Sequence, residues 1–287
     1  MKRREFFKCT AATAGALTLT PFADIFADQN KKKYANDIVT LGKTGIKVSR
    51  LAMGTGTHGF NHRSNQTVDL GIKGLADLLQ KAYEEGINFW DSADQYGTHP
   101  HLKEALKRVP REKVVILTKT KATTADEMKT DLDRFRKEIG TDYLDIILLH
   151  LMRDPDWPAI KKGAMDVMEK ARQDGVIRAH GVSCHTLGAL EAAANSNWVQ
   201  VDLARINPEG AVMDADVLTV EKILRKMHNS GKGIIGMKIF GGGQLVNKID
   251  ECLKYVLSLD FVDAFTIGQE SQKQMYDLIK RIPAASV

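Results

Sequence analysis

Four ionisable side chains follow predicted strands at matching positions, and their types could do proton chemistry together. Asp91 and Tyr96 come just after one buried apolar run, Lys119 ends the next run, and His150 ends the run after that. The three runs are residues 87–90, 114–118 and 146–149. Three consecutive strands that each place an ionisable residue at the same end indicate a shared site.

The chemistry of this set is proton transfer to or from an oxygen. A tyrosine is a poor acid at neutral pH because its reference pKa is about 10. A nearby Lys119 ammonium favours the phenolate and lowers the pKa of Tyr96, while Asp91 keeps the ammonium charged and oriented. His150 can hydrogen-bond a carbonyl oxygen, so that Tyr96 gives a proton to that oxygen as a hydride reaches its carbon. Taken singly, each residue is more often a solvated strand end or turn residue; their joint placement favours a site.

The elements that position these residues alternate regularly along the chain. Two short strands at 37–42 and 47–54 surround a turn at 43–45, and eight strand–helix units follow. The predicted strands are 51–54, 87–90, 114–118, 146–149, 178–183, 201–206, 233–239 and 263–267, and the predicted helices are 69–85, 101–108, one from 124 onward, 158–173, 187–195, 214–230, 244–258 and 271–281. Short, unbroken apolar strands are typical of parallel strands covered on both faces.

This pattern predicts an α/β fold, a closed (β/α)8 TIM barrel with a short N-terminal β-hairpin. The alternative is an open doubly wound sheet, but no GxGxxG follows the first strand. In a barrel, the C-terminal ends of the strands face one mouth, where active sites lie.

Composition narrows the possible partners. The chain has 287 residues, 43% hydrophobic and 27% charged, with a net charge of +5. Residues 1–27 carry four basic and two acidic residues and so supply +2, which leaves +3 for the remainder. Such a small excess argues against a nucleic-acid partner. Cys9, Cys184 and Cys252 have no metal-type spacing, and we expect Cys184 and Cys252 to be free thiols. A metal site at His99 and His101 is the less favoured interpretation of that pair, so no metal is predicted.

The first 27 residues are predicted to be a targeting segment. Arg3 and Arg4, followed by Phe6, Phe7 and Lys8, resemble a twin-arginine export signal. The apolar stretch that follows is too short and too weak for stable membrane insertion. We therefore expect a signal peptide at 1–27, a polar linker at 28–36 and the barrel at 37–287, with export in folded form by the twin-arginine machinery to the periplasm. The alternative is a basic start to a cytosolic protein.

The chain resembles the aldo-keto reductases, a family of NAD(P)-dependent carbonyl reductases built on this barrel. The resembling segments are 41–56, INFWDSADQYG (87–97), ILTK (116–119), ILLH (147–150), 175–185 and TIGQES (266–271). The resemblance implies that Tyr96 is the proton donor, that Lys119 and Asp91 tune it, and that His150 orients the carbonyl. It also implies a small carbonyl or alcohol substrate.

The resemblance implies a nicotinamide cofactor, with departures on the nicotinamide side. Gly54 and Thr55 after the first barrel strand belong to the implied cofactor site. The family holds the nicotinamide amide with a Ser-Asn pair, whereas here Ser183 is followed by Cys184. The usual glutamine on strand six is replaced by Arg205, and the tyrosine that stacks on the nicotinamide has no counterpart in 202–210.

The implied phosphate side is closer to the family pattern. Gly241, Gly242 and Gly243 follow strand seven and are expected to open a helix, giving backbone N–H groups for a pyrophosphate. Gly268, Gln269 and Ser271 match the segment that borders the adenosine phosphates. Members that prefer NADP usually place a cation there, whereas this chain has Glu270, with Lys273 nearby. Both NAD and NADP stay open.

Three functions are compatible with these residues. The favoured one is a reductase. The second is a nucleotide-binding regulatory or weakly active barrel, motivated by Cys184 and Arg205. The third is an unrelated barrel enzyme with a phosphorylated substrate, which would leave the four residues unexplained. If the protein is exported, we expect its nucleotide to be retained and recycled by coupled reactions. Since few residues follow 271–281, we expect an open, unselective pocket or one completed by a partner subunit; the oligomeric state stays open.

Overall fold

A closed barrel of eight parallel strands forms the centre of the protein, whose computed structural model describes residues 32–286. The barrel strands are β3 (Leu51–Gly54), β4 (Phe89–Asp91), β5 (Val115–Thr120), β6 (Leu144–Met152), β7 (Ile177–Cys184), β8 (Val201–Arg205), β9 (Gly233–Met237) and β10 (Ala264–Gly268). They follow one another around the barrel in sequence order, and β10 pairs with β3 to close it. The predicted (β/α)8 barrel is confirmed.

A two-stranded antiparallel hairpin precedes the barrel, as predicted. It consists of β1 (Ile38–Thr40) and β2 (Lys47–Ser49). Leu41, Ile46 and Val48 are fully buried and join the apolar cluster inside the barrel. Because β2 leads directly into β3, the hairpin covers the N-terminal ends of the strands, away from the mouth where polar residues gather. The predicted targeting segment and residues 28–31 of the predicted linker lie outside the described residues.

Helices cover the outer face of the barrel after every strand. They are α1 (Asn65–Asp69), α2 (Gly71–Glu84), α3 (His99–Ala105), α4 (Ala125–Ile139), α5 (Trp157–Ile160), α6 (Lys162–Gln173), α7 (Leu187–Asn195), α8 (Val217–Ser230), α9 (Ile249–Ser258) and α10 (Gln272–Ala285). The predicted single helix at 158–173 is wrong, because the chain breaks it at Lys161 into α5 and α6. Among the described residues, the helices are too short or too polar to cross a bilayer.

Strand alternation decides which side chains enter the barrel. Val115 and Leu117 belong to the interior cluster, whereas Ile116 between them packs against the outer helices. Successive strand residues point to opposite faces, so the residue two positions after an interior residue also points inward. That rule directs Asp91, Lys119 and His150 into the C-terminal mouth, since each lies two residues after the interior residues Phe89, Leu117 and Leu148.

Candidate active site

The structure brings the four predicted proton-transfer residues together at the C-terminal mouth. Asp91 ends β4, Lys119 lies near the end of β5, and His150 lies near the end of β6. Tyr96 ends a short 3-10 turn that begins at Asp94 just past β4. Gly97 ends this turn with φ of 66°, and a Cβ there would lie 2.1 Å from a backbone oxygen. Only glycine therefore fits the point where the chain turns back after Tyr96.

A buried ion pair anchors the site. The Lys119 side chain is 1% exposed, and its Nζ donates hydrogen bonds to Asp91 Oδ1 and, at 2.7 Å, to the carbonyl oxygen of Ser92. The Thr266 hydroxyl on β10 donates to Asp91 Oδ2 at 2.9 Å. A buried ion pair offsets its desolvation cost only when further hydrogen bonds satisfy both partners. Thr266 and the Ser92 carbonyl meet that condition, so the ammonium is held in one position.

Tyr96 lies over this ammonium. Lys119 Nζ is 3.5 Å from the Tyr96 hydroxyl oxygen and 4.7 Å from the centre of its ring. Two glycines of the loop after β3 enclose the ring: a Cβ on Gly56 or on Gly59 would lie 2.2 Å from a Tyr96 ring carbon. Any larger residue at either position would displace the phenol, so both glycines are required for its placement.

Burial governs the protonation of the Tyr96–Lys119 pair. It raises the pKa of Tyr96 above its ordinary value, and the charge of Lys119 opposes this rise without cancelling it. The expected lowering of the Tyr96 pKa is therefore wrong for the protein without ligand: desolvation of the phenolate outweighs the attraction of the ammonium. Burial also disfavours the Lys119 ammonium, but Asp91 and Tyr96 together hold the pKa of Lys119 above its usual value. The pair is a neutral phenol beside a charged ammonium.

His150 completes the group as a neutral imidazole. Its ring meets the Tyr96 ring edge-on, with centroids 5.8 Å apart. Burial, followed by the charges of Lys119, His185 and Lys121, lowers the pKa of His150 well below its ordinary value. Its Nδ1 is buried and finds no hydrogen-bond partner within residues 32–286. A neutral imidazole beside a phenol can donate one hydrogen bond to a ligand oxygen.

A cavity of about 370 Å³ opens beside this group. Asp91, Tyr96 and Thr266 form part of its wall, and the segment from Met237 to Gly243 forms much of another wall. Ligand pockets in proteins commonly have volumes of a few hundred Å³. Asp91 and Tyr96 therefore lie at the side of a space large enough for a bound small molecule.

Of the predicted cofactor residues, Gly54, Gly242, Gly243 and Gly268 line this cavity. The predicted cofactor residues outside its lining are Thr55, Ser183, Cys184, Arg205, Gly241, Gln269 and Ser271. Their assignment to a cofactor stays a prediction. The Thr55 hydroxyl donates to the Asp91 carbonyl at 2.9 Å and so supports the β3–β4 strand ends. Ser271 caps α10 through its hydroxyl.

The glycine-rich segment after β9 differs from expectation. Gly241–Gly243 forms a 3-10 turn, and α9 begins only at Ile249. The expectation that these glycines open a helix is wrong, because all three have positive φ values of 58°, 66° and 104°, outside the right-handed helical region. Lys238 just before them also has a positive φ of 57°, a conformation that costs a non-glycine residue about 1 kcal/mol.

The residues predicted to lie beside the nicotinamide form internal contacts. Arg205, two residues after the interior Leu203, forms an ion pair with the fully buried carboxylate of Asp214. The Ser183 hydroxyl oxygen accepts a hydrogen bond from the Leu151 N–H at 3.1 Å. Burial, followed by the charge of Asp202, raises the pKa of the Cys184 thiol well above its ordinary value. Arg205 and Cys184 are therefore committed to the protein interior in this structure; Cys184 and Cys252 are free, as predicted.

The far end of the cavity is acidic. Glu270 and Asp277 both line it, together with Gln274. Asn65 donates to Glu270 Oε1 at 2.8 Å, and Arg281 pairs with Asp277 at 2.7 Å. The predicted compensating Lys273 lies outside the cavity lining. Carboxylates at this end disfavour a further phosphate there.

Two residues of the site were not singled out from the sequence, Thr266 and Lys238. Thr266 binds Asp91 from β10, and Lys238 lies on the cavity wall directly after β9. The rule that identified Lys119 and His150, a polar residue at the C-terminal end of a strand, also applies to these two positions. Applied to every strand, it would have identified both.

The candidate metal ligands near His99 are engaged by the protein itself. His99 Nδ1 lies 2.8 Å from Glu138, and His99 Nε2 lies 2.7 Å from the Thr118 hydroxyl. Asp94, Glu138 and His99 have ligand atoms within 4.8 Å of one another, but Arg134 donates to both carboxylates. The Arg134 guanidinium already neutralises the carboxylates of this cluster. This supports the interpretation of His99 as a structural residue rather than a metal ligand.

The chain belongs to the aldo/keto reductase family. Residues 51–256 match the sequence model of that family, and the barrel and its strand-end residues agree with this assignment. The chain spans about half the length of the curated relatives it matches.

Among these relatives is an NADH-specific methylglyoxal reductase of Escherichia coli (strain K12), 26% identical over 168 residues, which are 50% of this chain and 51% of that protein. Another is an NAD/NADP-dependent indole-3-acetaldehyde reductase of Schizosaccharomyces pombe, 30% identical over 160 residues, with 54% of each chain covered. A putative aldo-keto reductase from Pseudomonas aeruginosa has a similar structure, with a TM-score of 0.74, 20% identity, and 88% of this chain and 97% of that chain covered. At that identity, the likeness shows the shared fold.

Proposed function

We propose that the protein interconverts an aldehyde or ketone and the corresponding alcohol by hydride transfer with a nicotinamide cofactor, with Tyr96 as the proton donor. One observation carries this proposal: Lys119 binds Asp91 and reaches the Tyr96 hydroxyl while His150 meets the Tyr96 ring, and Asp91 and Tyr96 line one cavity. Family membership and the names of the relatives support it.

In the reduction direction, the neutral Tyr96 phenol gives its proton to the carbonyl oxygen. The nicotinamide, when bound, supplies the hydride in that direction and accepts it in reverse. The Lys119 ammonium stabilises the phenolate that remains, because an adjacent positive charge favours the charged form of the phenol. Asp91 and Thr266 hold the ammonium in place, so little reorganisation accompanies proton transfer.

His150 orients the carbonyl. Its low pKa keeps the ring neutral at neutral pH, so it donates a hydrogen bond without competing with Tyr96 as an acid. This division of labour requires that the two rings face the same oxygen, and their edge-on contact places them side by side.

The residues along the cavity fit a dinucleotide in part. Gly242, Gly243 and Gly268 line the cavity and give close backbone approach. Glu270 favours NAD over NADP, since its carboxylate lines the cavity and is bound, among the described residues, only by the neutral Asn65, so that it would repel a 2′-phosphate. We propose NAD as the preferred cofactor.

The proposed function is tested by titrating the purified protein with NADH and with NADPH, and by following turnover on a panel of aldehydes and ketones. We expect NADH to bind more tightly than NADPH and to be oxidised by several carbonyl compounds. Failure of every carbonyl to oxidise bound NADH would contradict the enzymatic assignment.

A second function is supported by the nicotinamide side. The Arg205–Asp214 ion pair and the buried Cys184 leave that side committed to internal contacts. A nucleotide-binding regulatory or weakly active barrel would show firmly bound nucleotide with negligible turnover in the same experiment.

We also propose that the chain is exported in folded form through the twin-arginine pathway and retains its nucleotide in the periplasm. The residues that support this proposal are Arg3, Arg4 and the segment around them. Replacing both arginines with lysine should move the protein from the periplasmic to the cytoplasmic fraction. An unchanged distribution, or periplasmic protein that is active only after nucleotide is added, would contradict the respective parts of the proposal.

A further inference from the structure

Three basic residues that follow barrel strands have no ion-pair partner in the described part of the chain: Lys121 and Arg153, which are exposed, and Lys238, which lines the cavity. The two other basic residues of this region are neutralised, Lys119 by Asp91 and Arg205 by Asp214. The unpaired residues follow three different strands at the C-terminal end of the barrel, so they do not form a local charge run.

Lys121 and Arg153 follow the two strands that carry Lys119 and His150. In β5, Thr120 is paired with Leu149 of β6, so Lys121 follows in register with His150. Arg153 comes directly after β6, and its carbonyl oxygen accepts a hydrogen bond from the Thr186 hydroxyl at 2.6 Å.

Lys238 approaches from the other side of the mouth. It lines the same cavity as Asp91 and Tyr96. Because its φ is positive, the chain accepts backbone strain to turn at this residue.

The positive charge of these residues lowers the pKa values of the two histidines of the mouth, His150 and His185. Burial, followed by Arg205, Arg153 and Lys238, lowers the pKa of His185 to about 3. Lys121 contributes to the lowered pKa of His150. Both imidazoles are therefore uncharged at neutral pH, and the mouth carries positive charge from lysine and arginine alone.

Nearby acids do not neutralise this charge. Glu209, on the loop after β8, pairs with Lys248 at 2.8 Å. Asp154 and Asp156 follow Arg153 in an exposed turn and form no ion pair with it. Like charges gathered in a concave surface repel one another and attract anions. An anionic ligand would remove that repulsion.

We propose that the carbonyl substrate carries a carboxylate, which is bound by Arg153, Lys121 and Lys238 while its carbonyl oxygen lies between Tyr96 and His150. This inference rests on the proposed function and specifies its substrate class as oxo acids. Arginine suits the planar carboxylate because two of its N–H groups can bind both oxygens. The two lysines add charge without fixing the geometry.

The test compares acids with their esters. Three ω-oxo acids, 4-oxobutanoate, 5-oxopentanoate and 6-oxohexanoate, are each reduced beside the matching methyl ester, which keeps the aldehyde and removes the charge. The wild-type protein is compared with Arg153→Met, Lys121→Met and Lys238→Met. Lys162→Met is the matched control, because Lys162 is an exposed lysine paired with Asp166 on α6.

We expect the wild type to prefer at least one acid over its ester by about tenfold in kcat/KM. Arg153→Met should abolish that preference through KM and leave ester reduction within about twofold of wild type. Lys162→Met should keep the preference. Equal kcat/KM for every acid and its ester in the wild type would overturn the inference while leaving the reductase assignment intact.

The NADH dissociation constant of each variant separates the substrate from the cofactor as the source of the anion. We expect it to be unchanged in Arg153→Met and Lys121→Met. A large rise in all three variants, with the acid preference retained, would assign these cations to the cofactor phosphates and overturn the inference. Absence of turnover on both acids and esters would contradict the proposed function itself.

Discussion

Two sides of the same barrel mouth are organised in opposite ways. On the β4–β6 side, Lys119 is bound by Asp91 and the Ser92 carbonyl, and it reaches the Tyr96 hydroxyl. On the β7–β8 side, Arg205 is bound by Asp214, and Cys184 faces the apolar layer under the helices.

The contrast shows which side of the mouth is preorganised for its chemistry. The proton-transfer side is already assembled, since each charged group there has a partner that also positions it. The β7–β8 side satisfies its charge internally, so a bound nicotinamide must find other partners or displace Asp214 from Arg205. Preorganisation of the first side is therefore the stronger basis for a functional assignment.

The largest expected effect comes from removing the Lys119 ammonium on the β4–β6 side. Lys119→Met should lower kcat/KM for carbonyl reduction by about 10³-fold, because the phenolate of Tyr96 loses its stabilising charge. The variant also leaves Asp91 buried without its cation, which costs about 3–5 kcal/mol of stability.

The double variant Asp91→Asn/Lys119→Met separates these two effects. It should recover much of the lost stability in a denaturation experiment and remain inactive. Recovery of activity together with stability would show that the ion pair is only structural.

A smaller effect, on stability, is expected on the β7–β8 side from replacing Asp202 on β8. This residue is fully buried, both of its carboxylate oxygens lack a hydrogen-bond partner in the described chain, and burial raises its pKa to about 8. A folded-state pKa above the unfolded value means that folding takes up a proton, so stability falls as the pH rises from about 4 to 8.

Asp202→Asn should therefore stabilise the protein by about 4 kcal/mol more at pH 8 than at pH 5. Denaturant unfolding of both proteins at the two pH values measures the difference. A stability difference that does not change with pH would contradict the assigned burial of the charge.

A still smaller effect is expected at Thr266. Thr266→Val removes the hydrogen bond to Asp91 Oδ2 and should lower kcat by about tenfold with little change in KM, since it loosens the ion pair beneath Tyr96. Thr266→Ser keeps the hydroxyl and should restore the rate. Equal rates for the valine and serine variants would remove Thr266 from the positioning network.

The smallest expected effect concerns pH. Because the pKa of His150 is lowered and that of Tyr96 is raised, kcat/KM for reduction should be flat between about pH 6 and 8 and should fall only near or above about 10. A titration near 6.5 would show that His150 is exposed enough to gain a proton, which would weaken the contrast between the two sides.

The sequence was sufficient for the barrel and for the positions of the four strand-end residues. The barrel follows from the order of the strand–helix units, and the positions of the four residues follow from the alternation of side chains along each strand. The Arg205–Asp214 pair could not be predicted, because Asp214 lies in an irregular loop whose path depends on packing. The 3-10 turn at Gly241–Gly243 was missed for a similar reason: positive φ values at successive residues leave no periodic signal.

The packing of Gly56 and Gly59 against the Tyr96 ring also could not be predicted from the sequence. It joins a loop after β3 to a turn after β4, and no local pattern relates the two. Likewise, the sign of the Tyr96 pKa shift depends on how completely the ring is buried, which a list of neighbouring residue types does not give.

Single-turnover reduction by the Tyr96→Phe variant tests the central claim most directly. The hydride-transfer rate is followed by the loss of NADH absorbance with a saturating aldehyde, and the NADH dissociation constant is measured on the same protein. The account predicts a rate lower by about 10³-fold or more with NADH affinity within about twofold of wild type. A hydride-transfer rate equal to that of the wild type would show that the phenol is not the proton donor.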